Sequence, residues 1–147
     1  MASNGLSIYH LAYGDKDNKQ ANRVLNQNIA SIISIKLTQC NSLHRNKRKT
    51  FFNLCVSEGL KTVKLERLCE TIGINLNIVK SETDIIPIIQ ASNILENHNK
   101  SDTSYNVFID GDTVFLRDYF DELITTTSNA KSDIALIPEC GSTGITP

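Results

Sequence analysis

The chain has 147 residues, of which 40% are hydrophobic and 21% charged, and it contains only seven Gly and three Pro. This composition excludes collagen-like, low-complexity and broadly disordered chains, and the length fits one domain over residues 1–147. Fifteen Lys and Arg face 16 Asp and Glu, so the net charge of −1 gives no general attraction to nucleic acid or to an anionic membrane. Nucleic acid is therefore not expected as a partner.

The sequence shows no targeting or membrane-spanning pattern. Residues 1–7 have no basic region followed by an apolar run, and the densest apolar stretch, 29–37, is interrupted by Ser and Lys and is too short to span a bilayer. The four cysteines have no C-x-x-C spacing, which favours reduced, mostly buried thiols. We therefore expect a cytoplasmic protein with no transmembrane segment.

The spacing of apolar residues alternates along the chain between the period of strands and that of helices. In chain order it predicts a strand at 7–13, a helix at 19–36, a strand at 50–56, a helix at 63–72 stopped by Gly73, a strand at 74–79, a helix at 81–97, a strand at 105–109, a short helix at 119–124 with Asp118 as its N-cap, a polar linker at 125–132 and a strand at 133–137. Strands separated by helices predict an α/β fold, Rossmann-like, with a mostly parallel sheet and helices on both faces.

Two polar features of the sequence are interpreted as structural. The segment 44–49 has five basic residues in six when His44 is included, but it has no interleaved aromatic residue, and we interpret it as a solvated loop. His10 has no Cys, His or carboxylate at the spacing of a metal ligand, and we interpret it as a hydrogen-bonded strand residue.

The carboxyl ends of the predicted strands mark where a ligand would bind, and one of them carries a concentrated chemical signal. Asp110, Gly111 and Asp112 directly follow the apolar strand at 105–109. Two carboxylates one residue apart match the way a hard cation such as Mg²⁺ is held by one or two carboxylates together with substrate phosphates. The alternative is a simple turn, because Asp-Gly is a frequent turn pair.

Residues 105–118 (YNVFIDGDTVFLRD) resemble the hhhhDxDxxhhxD segment of GT-A-fold glycosyltransferases, particularly those related to glycogenin and to bacterial lipopolysaccharide sugar transferases. The resemblance is clear over 105–138. It implies a hexosyltransferase-type enzyme that binds a nucleotide-diphosphate sugar, such as a UDP-sugar, through Mn²⁺ or Mg²⁺ held by Asp110 and Asp112. In that family the end of the first strand holds the nucleoside. The donor-binding residues implied are therefore Ala12, Tyr13, Asp17, Asp110, Gly111 and Asp112; the catalytic residues and the acceptor are unknown.

The sequence departs from that family after the Asp-x-Asp motif. The chain ends 35 residues beyond Asp112, so the acceptor-binding half and the later histidine of the metal site have no counterpart. We therefore expect a C-terminally truncated domain, or one completed by another polypeptide. Self-association is also expected, through an exposed apolar patch that includes Phe115, Leu116, Ile134 and Leu136.

Two other functions remain open. The domain can be an inactive or partner-dependent remnant that still binds a nucleotide sugar. It can also be a phosphotransferase similar to the haloacid dehalogenases, with Asp110 as nucleophile and Asp112 as acid/base. In that class, however, the motif opens the domain, and further catalytic groups follow it.

Overall fold

The computed structural model describes residues 5–12, 18–56, 60–80 and 105–130. In these ranges the elements are β1 (Gly5–Ala12), α1 (Asn18–Thr38), α2 (Cys40–Arg45), β2 (Lys49–Val56), α3 (Val63–Thr71), β3 (Leu76–Lys80), β4 (Tyr105–Asp110) and α4 (Phe120–Ala130). The helix predicted at 81–97 and the strand predicted at 133–137 lie outside the described residues.

The four described strands form one sheet in the order β3-β2-β1-β4. Each neighbouring pair is parallel, which confirms the predicted α/β fold with a parallel sheet. The chain steps outward from β1 to β3 and then places β4 on the other side of β1. This is the order of the first four strands in the Rossmann fold, and it makes the boundary between β1 and β4 the point where the strand order reverses.

The two faces of the sheet carry different apolar clusters. Leu6, Ile8 and Ala12 of β1 face a large core that also contains buried residues of all four described helices. On the opposite face, Tyr9 and Leu11 pack with Cys55 of β2, and the ring of Tyr9 stacks on that of Phe108 with centroids 5.0 Å apart. Every residue of β1 is buried, as expected for an interior strand of a parallel sheet.

The predicted end of α3 at Gly73 is confirmed. Gly73 has a φ of 73°, in the left-handed region that glycine adopts without a steric penalty. The amide of Gly73 donates to the carbonyl of Glu70, and that of Ile74 donates to the carbonyl of Cys69 at 2.7 Å. Because this capping uses the amide of Ile74, β3 begins at Leu76, two residues later than predicted.

The helical content differs from the sequence prediction in two places. α2 (Cys40–Arg45) covers part of what was predicted as a loop. The prediction of a polar linker at 125–132 is wrong for residues 125–130, because α4 continues to Ala130. Two hydroxyls of this part of α4 are hydrogen-bonded: that of Thr125 donates to the carbonyl of Asp121, and that of Ser128 bonds with the hydroxyl of Tyr105.

The predicted exposed patch is only partly present. Leu116 is 89% exposed, as predicted, but Phe115 is buried and packs edge-on against Phe120, so its assignment to the patch is wrong. Ile134 and Leu136 lie outside the described residues. Cys55 and Cys69 are buried free thiols, as predicted, whereas Cys40 is partly exposed. Among the described helices, none has the length and apolar character that crossing a bilayer requires.

Candidate functional site

Asp110 lies at the carboxyl edge of the sheet, where the strand order reverses. It is the last residue of β4, and it pairs in register with Leu11, the next-to-last residue of β1. Ligands of open α/β sheets bind outside the carboxyl ends of the strands at such a reversal. The sheet topology therefore positions the first carboxylate of the Asp-x-Asp motif at the most favourable place for a ligand.

The chain turns sharply directly after Asp110. Gly111 and Asp112 occupy the corner, and the amide of Thr113 donates to the carbonyl of Asp110 at 3.0 Å. The Asp-Gly pair thus forms the turn that was the alternative interpretation of the motif, and the side chains of Asp110 and Asp112 are both exposed on it. Because both carboxylates are accessible to solvent, the turn leaves them available to a cation.

Asn28 of α1 contacts the inner side of this turn. A Cβ atom built on Gly111 would lie 2.3 Å from Nδ2 and 2.7 Å from Cγ of Asn28. The side chain of Asn28 is fully buried, and its Nδ2 donates to the carbonyl of Val24 at 2.9 Å. Position 111 therefore requires glycine because the buried amide of Asn28 occupies the space of a side chain.

Two further polar residues, Ser34 of α1 and Gln39 between α1 and α2, hold the segment that follows the turn. The Ser34 hydroxyl accepts a hydrogen bond from the amide of Phe115 at 3.0 Å. The fully buried Gln39 donates from Nε2 to the carbonyl of Arg117 at 2.6 Å. Its Oε1 accepts from the amides of Tyr119 and Phe120, at 2.8 and 2.9 Å. The residues between the Asp-x-Asp turn and α4 thus lie along α1.

The start of α4 is fixed from outside that helix. The helix begins at Phe120, whose amide donates to Gln39, so the predicted N-cap role of Asp118 is wrong. Asp121 in the first turn accepts hydrogen bonds from Arg48 at 3.0 Å and from Asn46 at 2.7 Å. A carboxylate in that position also interacts favourably with the helix dipole.

Buried side-chain atoms of three residues have no hydrogen-bond partner in the part of the chain that the structure describes: both ring nitrogens of His10, Oδ1 of Asn28 and Oγ of Ser31. His10 pairs in register with Ile109, the residue before Asp110. Burial lowers the pKa of His10 to about 3, so the ring is neutral at neutral pH. Because neither ring nitrogen has a hydrogen-bond partner among the described residues, the prediction that His10 is a hydrogen-bonded strand residue is wrong.

The donor-binding residues predicted from the sequence are only partly described. Asp110, Gly111 and Asp112 lie together on the turn, and Ala12 is fully buried at the end of β1. Tyr13 and Asp17 lie outside the described residues. Sequence reasoning missed Asn28, Ser34 and Gln39 as supports of the site, although a polar Asn28 within the apolar stripe of α1 was a visible signal.

The donor set fits one mode of cation binding. Within the described ranges, no group of three or more His, Cys, Asp or Glu side chains is arranged to hold a metal ion. The two carboxylates of the turn fit a hard cation whose other ligands are water and substrate phosphates.

Comparison of the chain with protein-family models, curated proteins and solved structures found no match.

Proposed function

We propose that this chain is the nucleotide-sugar-binding domain of a GT-A-like glycosyltransferase. It binds a nucleotide-diphosphate sugar, with a UDP-sugar as the favoured donor, through Mn²⁺ or Mg²⁺ held by Asp110 and Asp112, for glycosyl transfer to an acceptor. The observation that carries the proposal is the position of these two exposed carboxylates on a turn at the strand-order reversal between β1 and β4.

The chemistry of a diphosphate explains why carboxylates belong at this position. A carboxylate repels a phosphate, so Asp110 and Asp112 bind the diphosphate only through a cation placed between them. When bound, the cation neutralises the negative charge that develops on the departing nucleoside diphosphate. The two Asp side chains hold and orient the donor, and both are accessible from solvent.

The supports of the turn favour a site whose shape is set before the ligand binds. The amide of Asn28 fills the space beside Gly111, and the bond between the amide of Thr113 and the carbonyl of Asp110 closes the turn. Ser34 then fixes the backbone at Phe115. A site held in place by such contacts loses less conformational entropy on binding.

The end of β1 is the proposed nucleoside side of the site. Ala12 ends that strand next to Leu11, which is paired with Asp110. Neighbouring strands lie about 4.8 Å apart, so a nucleoside bound by Ala12, Tyr13 and Asp17 would place its diphosphate near the turn. The phosphotransferase alternative is not proposed, because the motif follows β4 rather than the first strand of the chain.

A panel of nucleoside diphosphates tests the proposal. Calorimetric titration of the protein with UDP, GDP and ADP is carried out in Mn²⁺ and again in EDTA. We expect tight binding of one diphosphate, UDP in the first place, that disappears in EDTA. Failure of all three to bind in Mn²⁺ would contradict the proposal.

Turnover separates an active enzyme from a binding module. In Mn²⁺, release of free sugar from the matching nucleotide sugar indicates that the chain carries transferase chemistry. Donor binding without sugar release indicates the inactive or partner-dependent alternative, in which this same site binds the donor but another polypeptide completes the reaction.

A further inference from the structure

A groove with a volume of about 930 Å³ lies at the amino edge of the sheet. Its walls include Lys49 and Thr50 at the start of β2 and residues 73–75 just before β3. The last turns of α1 and α2 complete it through Lys36 and Arg45. Since the strands are parallel, this edge is opposite the one that carries Asp110, and the groove is separate from the proposed donor site.

The groove is strongly cationic although the whole chain is nearly neutral. Among the residues that the structure describes, its lining includes five of the 15 Lys and Arg of the chain, together with His44, and no Asp or Glu. The five are Lys36, Arg45, Lys47, Arg48 and Lys49. Clustering one sign of charge in a concave surface strengthens the local field and attracts ions of the opposite sign.

The backbone holds part of this basic cluster in a defined conformation. Lys47 has a φ of 55°, a left-handed conformation that is uncommon outside glycine. The amide of Lys47 donates to the carbonyl of His44, and the amide of Arg48 donates to that of Leu43, each at 2.9 Å. These bonds tie the backbone of the loop to the end of α2, while the basic side chains of Arg45, Lys47 and Lys49 are exposed, as the interpretation as a solvated loop predicted.

Part of the positive charge is already engaged within the fold. Arg48 is paired with Asp121, and Lys36 and Arg45 lie in last turns, where cations offset the partial negative charge of a helix end. Lys47 and Lys49 lie beyond the helices and are exposed. Lys47 and Lys49 therefore remain cationic donors in a groove whose described lining contains no acidic side chain.

We propose that this basic groove binds a compact, multiply phosphorylated anion. Its volume is in the range of small-molecule sites, roughly 300–1,000 Å³. Lys and Arg form strong, charge-assisted hydrogen bonds with phosphate oxygens, and Thr50, Asn41 and Asn75 add neutral donors. Among the described lining residues, Phe52 is the one Phe, Tyr or Trp, and it is only 6% exposed. The exposed imidazole of His44 alone does not make a row of aromatic platforms for successive bases, which favours a compact polyphosphate over single-stranded nucleic acid.

Titration with sodium tripolyphosphate tests the proposal. The measurement is made by calorimetry in EDTA, so that no divalent cation supports binding at Asp110 and Asp112. We expect saturable binding to the wild-type protein that weakens as salt is added. Inorganic monophosphate, which carries less charge, is expected to bind roughly tenfold more weakly or worse.

A matched pair of double variants locates the binding. Arg45→Gln with Lys49→Gln removes two exposed charges from the groove, and we expect a loss of affinity of about tenfold or more. Lys64→Gln with Arg67→Gln removes the same two residue types from the exposed side of α3, outside the groove, and we expect a change within about twofold. Equal losses in both pairs would overturn the proposal, as would no binding by the wild type.

Two further measurements test where the anion binds and whether the groove prefers a nucleic acid. Amide chemical shifts of the wild-type protein are followed during the same titration, and changes centred on residues 44–50 are expected even where a variant fails to fold. Changes centred elsewhere would overturn the assignment. Tighter binding of a single-stranded RNA than of tripolyphosphate, with the same dependence on Arg45 and Lys49, would overturn it in favour of a nucleic-acid surface.

Discussion

The buried amide of Asn28 lies where a side chain at position 111 would have to be, with 2.3 Å between Nδ2 and a Cβ atom built on Gly111. Asn28 lies on α1 and Gly111 between the two carboxylates of the motif, so this contact joins a helix of the core to the candidate site. The close approach of Asn28 explains the glycine of this Asp-Gly-Asp turn.

The contact predicts that Gly111→Ala destabilises the protein and that a change at Asn28 relieves part of the loss. The added methyl group forces a buried side chain to move, which costs about 1–3 kcal/mol. In the Asn28→Ala background the space is open, so the same substitution should cost clearly less. Urea denaturation of the wild type, both single variants and the double variant measures this difference.

Gly73→Ala is the control for this double-mutant cycle of Gly111 and Asn28. A Cβ atom on Gly73 meets nothing within 4 Å, so Gly73→Ala costs only the backbone strain of its left-handed conformation, about 1–2 kcal/mol. That cost should be the same with and without Asn28. If Gly111→Ala is also equally costly in both backgrounds, Asn28 does not constrain the turn.

Gln39, which lies between α1 and α2, is predicted to contribute more to stability than a partly exposed polar residue of α1. Gln39→Leu removes the bonds to the carbonyl of Arg117 and to the amides of Tyr119 and Phe120. Leaving these groups without partners is expected to cost about 2–4 kcal/mol in the free energy of unfolding. Gln27→Leu, at a partly exposed position of α1, should change the free energy of unfolding by no more than about 0.5 kcal/mol.

Hydrogen exchange shows whether that loss is local to α4. In the Gln39→Leu variant, the amides of Phe120 and Leu123 should exchange faster than in the wild type, because the helix start loses its support. The Gln27→Leu variant should retain wild-type protection there. Equal unfolding free energies for the two variants would show that Gln39 does not anchor the segment.

The burial of His10 predicts that the free energy of unfolding falls in mild acid. Burial lowers its pKa from 6.5 to about 3, so between these values the unfolded chain binds a proton that the folded protein does not. Above pH 6.5 His10 is neutral in both states, so it does not change the free energy of unfolding. As the pH falls below 6.5, protonation of the unfolded chain lowers the free energy of unfolding. Between pH 7.5 and 5.5 the wild type should lose about 1.4 kcal/mol relative to His10→Leu.

Urea denaturation of the two proteins at several pH values between 7.5 and 5.5 measures this difference. The other titrating groups are common to both proteins, so the difference between the two curves isolates His10. A constant difference over this pH range would show that the imidazole is not held neutral inside the fold.

The sequence was sufficient to predict features that depend on local patterns. The changing apolar period predicted the parallel sheet, and Gly73 predicted the end of α3 because its conformation is a local property. The Asp-Gly pair likewise indicated, as the alternative interpretation of the motif, the turn that follows β4. Each of these follows from residues that are near one another in the chain.

Features that depend on distant contacts were not predicted. The bonds of Gln39 join residues about 80 positions apart, and no local pattern indicates such a pairing. The segment 125–130 is rich in Thr and Ser and therefore resembles a linker, yet Phe120 and Ile124 bury one side of α4 and stabilise it as a helix. Likewise, His10 is buried with no hydrogen-bond partner among the described residues because neighbouring strands pack on both sides of β1.

The most direct test of the central claim is the affinity for UDP of the wild type, Asp112→Asn and Asp118→Asn, each measured in Mn²⁺ and in EDTA. Asp118 is exposed and near the motif, so its substitution removes the same charge without altering the proposed site. We predict binding by the wild type only in Mn²⁺, an affinity roughly tenfold lower or worse for Asp112→Asn, and a change within about twofold for Asp118→Asn. UDP binding that persists in EDTA, or that Asp112→Asn leaves unchanged, would contradict the metal–diphosphate site.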